Sequence, residues 1–396
     1  MKKLLWTILS FSLLTVMAGA AVAPALGIIA ERFPDASPLA IKMLIALPPL
    51  SIIAVNLVFD RVCRLARTKT IALAGAVLYV AAGAGAFFAP NLPVLLALRA
   101  LLGVAVGLLM PLSVGLLAYW FPPEELGRLM GLSAAMNQAG GVVGTLLAGF
   151  LATVAWNWAF LVYLLGAVVA AMVALWLPNE RLRPADAGTD GAPPPSRAAL
   201  LRRFHASLAG MLLCTVAFFA FVSNFALAAR GMFSTGAVTL VLVGVDVVAT
   251  AAGLLFGRLL RAAPGGTKYL PPLLFVAGFA LLAARPGASG VLAAGALLGF
   301  ANGIGVPYLN TLASAQGGRG SVTTVLPLLS AALFLGQFVC PPLIDGIASL
   351  LPAAPDRAPW LAALAVSLVY LAQAFATRRL QTLPPSPGQN RTEPNP

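Results

Sequence analysis

Asp246 stands between Val245 and Val247 in the middle of a long apolar run, and Arg99 stands inside another. Charge is costly in an apolar medium, so each such side chain must be paired, neutralised or put to use. A carboxylate at that position is suited to carrying a proton, and equally to holding a structural partner; both readings stay open. Asn137 and Gln138 sit at a similar depth to Asp246 in a run that crosses in the opposite direction. Arg99 can attract an anionic group. No H-E-x-x-H, no G-x-S-x-G with partners and no G-x-x-x-x-G-K-[ST] occurs, and His205 lies in a polar stretch. These residues offer the movement of a proton or a solute rather than bond breaking, so the chain is not read as an enzyme. No cofactor is expected.

The elements that must position these residues follow from composition. With 396 residues, 60% hydrophobic, 9% charged, and a mean hydropathy of +0.94, the chain has too few charges to cover a water-soluble surface. Apolar stretches long enough to cross a bilayer lie near 4–30, 39–59, 70–89, 93–120, 127–153, 159–177, 206–229, 237–258, 269–284, 288–312, 321–347 and 359–377, the ninth being the shortest. The first could pass for a secretory signal, with Lys2-Lys3 followed by Ala18-Gly19-Ala20-Ala21-Val22-Ala23. Its apolar run continues through Ala30, and its removal would break the plan described next, so it reads as a helix.

A net charge of +13 is explained by where the basic residues fall. One set of alternate connections holds Lys2, Lys3, Arg61, Arg64, Arg67, Lys69, Arg128, Arg202, Arg203, Arg258, Arg261 and Lys268 among others, while the opposite set holds Arg32, Lys42, Arg230, Arg285 and Arg357. This bias puts both termini in the cytoplasm. It removes the reason to expect nucleic acid. The cysteines Cys63, Cys214 and Cys340 are scattered and form no disulfide framework or metal spacing. Glu31, Lys42 and Asp345 fall near the outer ends, where water is expected to reach them.

The chain also repeats itself. Asn56-Leu57-Val58-Phe59-Asp60-Arg61-Val62-Cys63-Arg64 returns about 197 residues later as Gly253-Leu254-Leu255-Phe256-Gly257-Arg258-Leu259-Leu260-Arg261. Ala100-Leu101-Leu102-Gly103, then Gly107 and Pro111, return as Ala296-Leu297-Leu298-Gly299, then Gly303 and Pro307. Two parallel membrane halves imply a transporter that rocks around a central site. The divisions are a six-helix bundle over 1–178, a polar linker over 179–205, a second six-helix bundle over 206–380, and a tail over 381–396 rich in proline and expected to be disordered. Gly103 and Gly107, Gly140 and Gly144, and Gly299 and Gly303 recur at i, i+4, where small residues let helices approach closely; static packing and sliding are both open to them.

The twelve-helix plan, Asp60-Arg61-x-x-Arg64 after the second helix, Arg99-x-x-x-Gly103 in the fourth, and Gly140-Gly141-Val142-Val143-Gly144-Thr145-Leu146-Leu147-Ala148-Gly149 in the fifth resemble the major facilitator superfamily, in its bacterial drug or metabolite:proton antiporter type. The motifs depart from the family pattern at Asn56, Cys63, Leu102 and Thr145, which bears on the antiporter branch rather than on membership. The resemblance implies an all-α integral membrane fold with two pseudo-symmetric bundles, alternating access, and no cofactor beyond the proton motive force. It implies that the fifth and eighth helices pack together, which would make Asn137, Gln138 and Asp246 a polar cluster. It implies a latch at Asp60, Arg61 and Arg64, with topogenic anchoring as the other reading; Arg258 and Arg261 repeat it weakly, because Gly257 replaces the aspartate. It implies a cavity lined by the first, fourth, seventh and tenth helices, which carry Ser10, Thr15, Met17, Ser113, Tyr119, Phe218, Phe221, Asn224, Phe225, Asn302, Tyr308 and Asn310. The expected function is proton-coupled efflux of a drug-like compound or metabolite from a bacterial cytoplasm by a monomer in the inner membrane, whose partners are lipid, solute and protons. Proton-coupled uptake of a small molecule or anion, and a nontransporting receptor or scaffold, are the alternatives.

Overall fold

The computed structural model describes residues 2–180, 197–230, 232–263, 265–284, 287–317, 321–351 and 356–377. Most of the expected linker and the whole expected tail lie outside the described residues, as does the side chain of Asp60. The helices are α1 (Lys2–Ala20), α2 (Leu26–Arg32), α3 (Pro38–Leu65), α4 (Thr68–Gly85), α5 (Leu92–Trp120), α6 (Pro123–Ala152), α7 (Leu165–Trp176), α8 (Arg197–Ala228), α9 (Thr235–Ala262), α10 (Leu270–Ala283), α11 (Ala288–Gly317), α12 (Ser321–Ala348) and α13 (Ala358–Ala376). Among the described residues eleven spans are long and apolar enough to cross a membrane, and the shorter apolar helix Leu270–Ala283 stands where the ninth was expected. α1 and α2 together form the first span, and the 3₁₀ turn Trp156–Leu164 with α7 forms the sixth. Where the linker was expected to run through His205, the chain is already helical from Arg197.

Local chemistry sets these boundaries. Ser37 opens α3 by accepting from the Ala40 amide at 3.2 Å, and Ser234 opens α9 by accepting from the Ala237 amide at 3.3 Å; such caps satisfy an amide left free at a helix start. The first span breaks after Ala20 because Pro24 has no amide to continue the helix. Pro48 and Pro49 lie within α3, and Pro48 likewise leaves the Leu44 carbonyl without its helical donor.

The halves pack alike. α1 lies on α5 and α6, α3 on α5, and α4 on α5 and α7; in the second half α8 lies on α11 and α12, α9 on α11, and α10 on α11 and α13. A methyl added at Gly103 would strike the Pro48 backbone of α3, and one at Gly299 would strike the Val245 carbonyl of α9 at 2.5 Å. Gly107 and Gly303 continue those contacts against Val55 and Ala249. Gly140 and Gly144 seat α6 on Leu13 and Met17 of α1. The outer surface is apolar in a way water would not tolerate, with Leu254 82% and Leu175 72% exposed; lipid is its natural solvent. Across the halves, α3 packs on α12 and α6 on α9.

Candidate functional site

Three contacts join the bundles at one end. Lys42 at the start of α3 pairs with Asp345 near the end of α12. A methyl on Gly27 of α2 would meet the Ala226 carbonyl of α8 at 2.8 Å, and Gly149 near the end of α6 abuts Thr239 near the start of α9. These residues share the end opposite Arg61 and Arg64. Lys42 and Asp345 were expected to face water; instead Lys42 is 4% exposed and finds its partner in the other half. Opposite charges near the outer ends of the second and eleventh spans were the available signal, and the fold's pairing of α3 with α12 gave them meaning.

At the basic end an open depression of about 640 Å³ between α11 and α12 of the second half is lined by Asn310, Thr311, Ser314, Ala315, Leu326 and Ser330. It lies where α11 ends and α12 begins. Its lining offers hydroxyls and an amide without charge, which suits hydrogen bonding to a neutral polar or amphipathic solute. Asn310 belongs to the expected lining; Thr311, Ser314 and Ser330 do not. Asn310 and Ser314 are spaced i, i+4, and that polar stripe was readable.

Mid-depth, the interface of α6 and α9 is polar. Gln138 Nε2 donates to Thr250 Oγ1 at 3.2 Å, and Thr250 Oγ1 donates to the carbonyl of Asp246, one turn earlier, at 2.8 Å. Asn137, beside Gln138, keeps a buried Oδ1 without a hydrogen-bond donor. Asp246 is half-buried, and its carboxylate forms no hydrogen bond or ion pair among the described residues. The structure therefore brings Gln138 to within one helical turn of Asp246, with Thr250 between them.

Arg99 lies elsewhere, 1% exposed inside the first bundle. Its Nε donates to the Leu44 carbonyl at 2.7 Å, its Nη2 to the Ala18 carbonyl at 2.7 Å, and its Nη1 to Tyr163 Oη at 2.8 Å. The Leu44 carbonyl is the one that Pro48 leaves free, and Ala18 precedes the break at Pro24. Tyr163 also donates to Ala18, and Tyr79 donates to the Leu14 carbonyl while meeting Tyr163 edge-on. Arg99 and Gly103 are one turn apart on α5, as Leu44 and Pro48 are on α3, so the motif's spacing fits a kinked neighbour. The guanidinium serves as a clamp on orphaned carbonyls.

The expected aromatic lining is also redistributed. Phe221 is fully buried, stacks on Phe225 at 4.8 Å and approaches Trp360, which places both rings in the core of the second bundle. Phe218 is half-buried. Asn224 is buried and turns to its own helix, donating to the Ala220 carbonyl at 2.8 Å and to Ser223 Oγ at 3.1 Å. Tyr308 is 3% exposed and Asn302 half-buried on α11. A Phe stripe at i, i+3, i+7 reads the same on a core face as on a cavity face, which is why the sequence could not separate them. Arg61, Arg64, Arg258 and Arg261 are exposed at the helix ends, as anchors would be, and among them Arg261 Nε donates to the Gly257 carbonyl within its own helix.

Comparison with known proteins agrees with this geometry. The family model of the Major Facilitator Superfamily matches residues 7–341. The structure is similar to that of a bacterial homolog of the human lysosomal transporter Spinster in an inward-facing, unoccupied conformation, with a TM-score of 0.76 and 15% identity over 96% of this chain and 97% of that one. It is also similar to the nucleoside transporter NupG, with a TM-score of 0.73 and 11% identity over 95% of this chain and 99% of that one. In sequence, it is 35% identical over 95 residues to a multidrug resistance protein B homolog of Mycobacterium tuberculosis, and 46% identical over 57 residues to a probable chloroplastic anion transporter 4 of Arabidopsis thaliana. Those stretches cover 24% and 14% of this chain, and only 18% and 11% of the respective relatives.

Proposed function

Because this chain belongs to the Major Facilitator Superfamily, we propose that it is a secondary active transporter that moves a small organic solute across a bacterial cytoplasmic membrane by alternating access, coupled to protons and directed outward. The observation that carries this reading is the polarity of the molecule: the bundles meet through Lys42 and Asp345 at one end, while a cavity of about 640 Å³ lies at the other. The positive-inside bias puts the cavity end on the cytoplasmic side, where an exporter loads and an importer releases, so the outward direction rests on the partial similarity to a multidrug resistance protein.

Asp246 is the proton carrier in this mechanism. It lies mid-depth at the α6–α9 contact, without a counter-ion among the described residues, one turn from the Gln138–Thr250 hydrogen bond that spans the halves. Rocking of the bundles changes that contact and so changes the surroundings of the carboxylate. Each charge moved is worth about 2.3 kcal/mol per 100 mV, so one or two protons per cycle sustain a useful gradient. The partial similarity to a multidrug resistance protein supports efflux. Arg99 and the partial similarity to an anion transporter support the second reading, proton-coupled uptake of an anion.

The test is dissipation of an imposed pH gradient in everted vesicles when a panel of small molecules is added, comparing the natural chain with Asp246→Asn. Dissipation by a few compounds, lost in the variant, is expected. An Asp246→Asn protein that transports normally under a proton gradient removes Asp246 from coupling. Silence in everted vesicles with proton-driven accumulation in right-side-out vesicles overturns the direction.

A further inference from the structure

Thr267 and Lys268 lie just before α10, as Thr68 and Lys69 open α4, so in sequence the repeat extends to the basic end. The two lysines meet different fates. Lys69 is half-buried in a half that supplies acids: Asp60 stands near the end of α3, and the chain leaving α7 returns so that the Thr68 amide donates to the Glu180 carbonyl at 2.9 Å. In the second half Gly257 replaces the aspartate, and Thr377-Arg378-Arg379 follow the last helix. The carboxylates between residues 197 and 380 are Asp246, Asp345 and Asp356, none of them at this end of the helices.

Lys268 is nevertheless 6% exposed, and its buried Nζ has no hydrogen-bond partner. The adjacent Thr267 hydroxyl donates to the Ala263 carbonyl at 2.6 Å. The amine lies 5.0 Å from the centre of the Tyr269 ring, a contact that supplies part of what an ammonium needs. Burial pushes the Lys268 amine below the ordinary lysine range. An unpaired buried ammonium is costly unless an anion joins it. Exposed topogenic arginines need no such explanation; this lysine does.

We propose that the connection between α9 and α10 binds the phosphate of an anionic phospholipid headgroup, with Lys268 as its direct partner and Arg258 and Arg261 as the surrounding positive field. The surface beside the site favours a lipid over a free ion. Tyr269 stacks on Phe375 at 4.6 Å, Phe375 is 53% exposed, and Leu254 on the same end of α9 is 82% exposed. Acyl chains attached to the phosphate would cover these apolar groups, as inorganic phosphate could not. Tyr269, half-buried, covers the amine, and rotation of its side chain admits the headgroup. Basic pockets between helix ends at the cytoplasmic leaflet are suited to this recognition.

The experiment is native mass spectrometry of the purified full chain titrated with phosphatidylglycerol, phosphatidylcholine or inorganic phosphate. Phosphatidylglycerol is expected to bind about fivefold more tightly than phosphatidylcholine, the effect of one basic residue near a headgroup. Lys268→Ala is expected to erase that preference and Lys268→Arg to keep it, with unchanged elution and melting. Should the alanine variant fail to fold, Lys268→Gln, which keeps length and polarity without charge, carries the same comparison. Equal preference in the natural and uncharged proteins overturns the site. Lys268-dependent binding of inorganic phosphate that displaces the lipid overturns the assignment to a headgroup.

Discussion

Lys42 and Asp345, 303 residues apart, form an ion pair that ties the start of α3 to the end of α12 and so joins one half to the other. Lys42 is almost wholly buried, whereas the Asp345 side chain is 23% exposed. Asp345→Asn leaves the ammonium buried without its counter-charge, at a cost of about 2–3 kcal/mol to the closed arrangement. Opening this end returns Lys42 to water. The variant is expected to shift the population toward opening there, read as faster labelling of a cysteine placed at Thr239. Unchanged labelling would deny the pair a gating role.

Arg99 is expected to govern stability rather than coupling. Arg99→Met leaves the Leu44 carbonyl and Tyr163 without a donor and removes one from Ala18, a loss of about 3 kcal/mol or more. Tyr163→Phe costs about 1 kcal/mol, because Arg99 still serves Ala18. Melting in detergent checks both, and the pH profile of transport in Tyr163→Phe should match the natural protein. A displaced profile would place Arg99 in the proton path.

The glycine contacts are expected to be unequal between the halves. Gly303→Ala drives a methyl into the Ala249 carbonyl, a backbone atom that cannot step aside, whereas Gly107→Ala meets the Val55 side chain at 2.7 Å. Forcing helices apart costs roughly 1–3 kcal/mol, and the larger loss should fall on Gly303→Ala. Gly244→Ala, with nothing within 4 Å of the new methyl, is the control and should melt no lower than the natural chain.

Filling the cavity separates access from folding. Ser314→Phe places a ring in the space shared with Asn310 and Ser330. Vesicle flux is expected to fall steeply while the melting temperature holds. Full flux in this variant would exclude the cavity from the solute's route.

Much of this architecture could be read from the sequence, because bilayer thickness sets a length that apolar runs either reach or miss. The repeat was legible for the same reason that it packs: Gly103 and Gly299 occupy equivalent places where α5 and α11 press on kinked or closely approaching neighbours. Depth put Asp246 and Gln138 at one level, and the family resemblance supplied the packing of α6 on α9 that brings them together. The fate of Arg99 could not be foreseen in the same way. Two of its three partners are main-chain carbonyls, that of Leu44 released by Pro48 and that of Ala18 in the last turn of α1, and no side-chain pattern announces a free carbonyl. The Phe221 and Phe225 stack was hidden because helical spacing fixes a face without saying what that face meets. Long-range pairing of Lys42 with Asp345 required knowing which helices of the two halves touch.

The clamp around Arg99 has an electrical side. All its hydrogen-bond partners are neutral, so the first bundle carries a fixed positive charge that no ion pair cancels among the described residues, in a medium where fields reach far because little water screens them. A solute crossing between the bundles travels through that potential. Cations climb it and anions descend it, whereas neutral molecules are indifferent. Selectivity by sign of charge, set by the scaffold before any side chain touches the cargo, is the expected consequence.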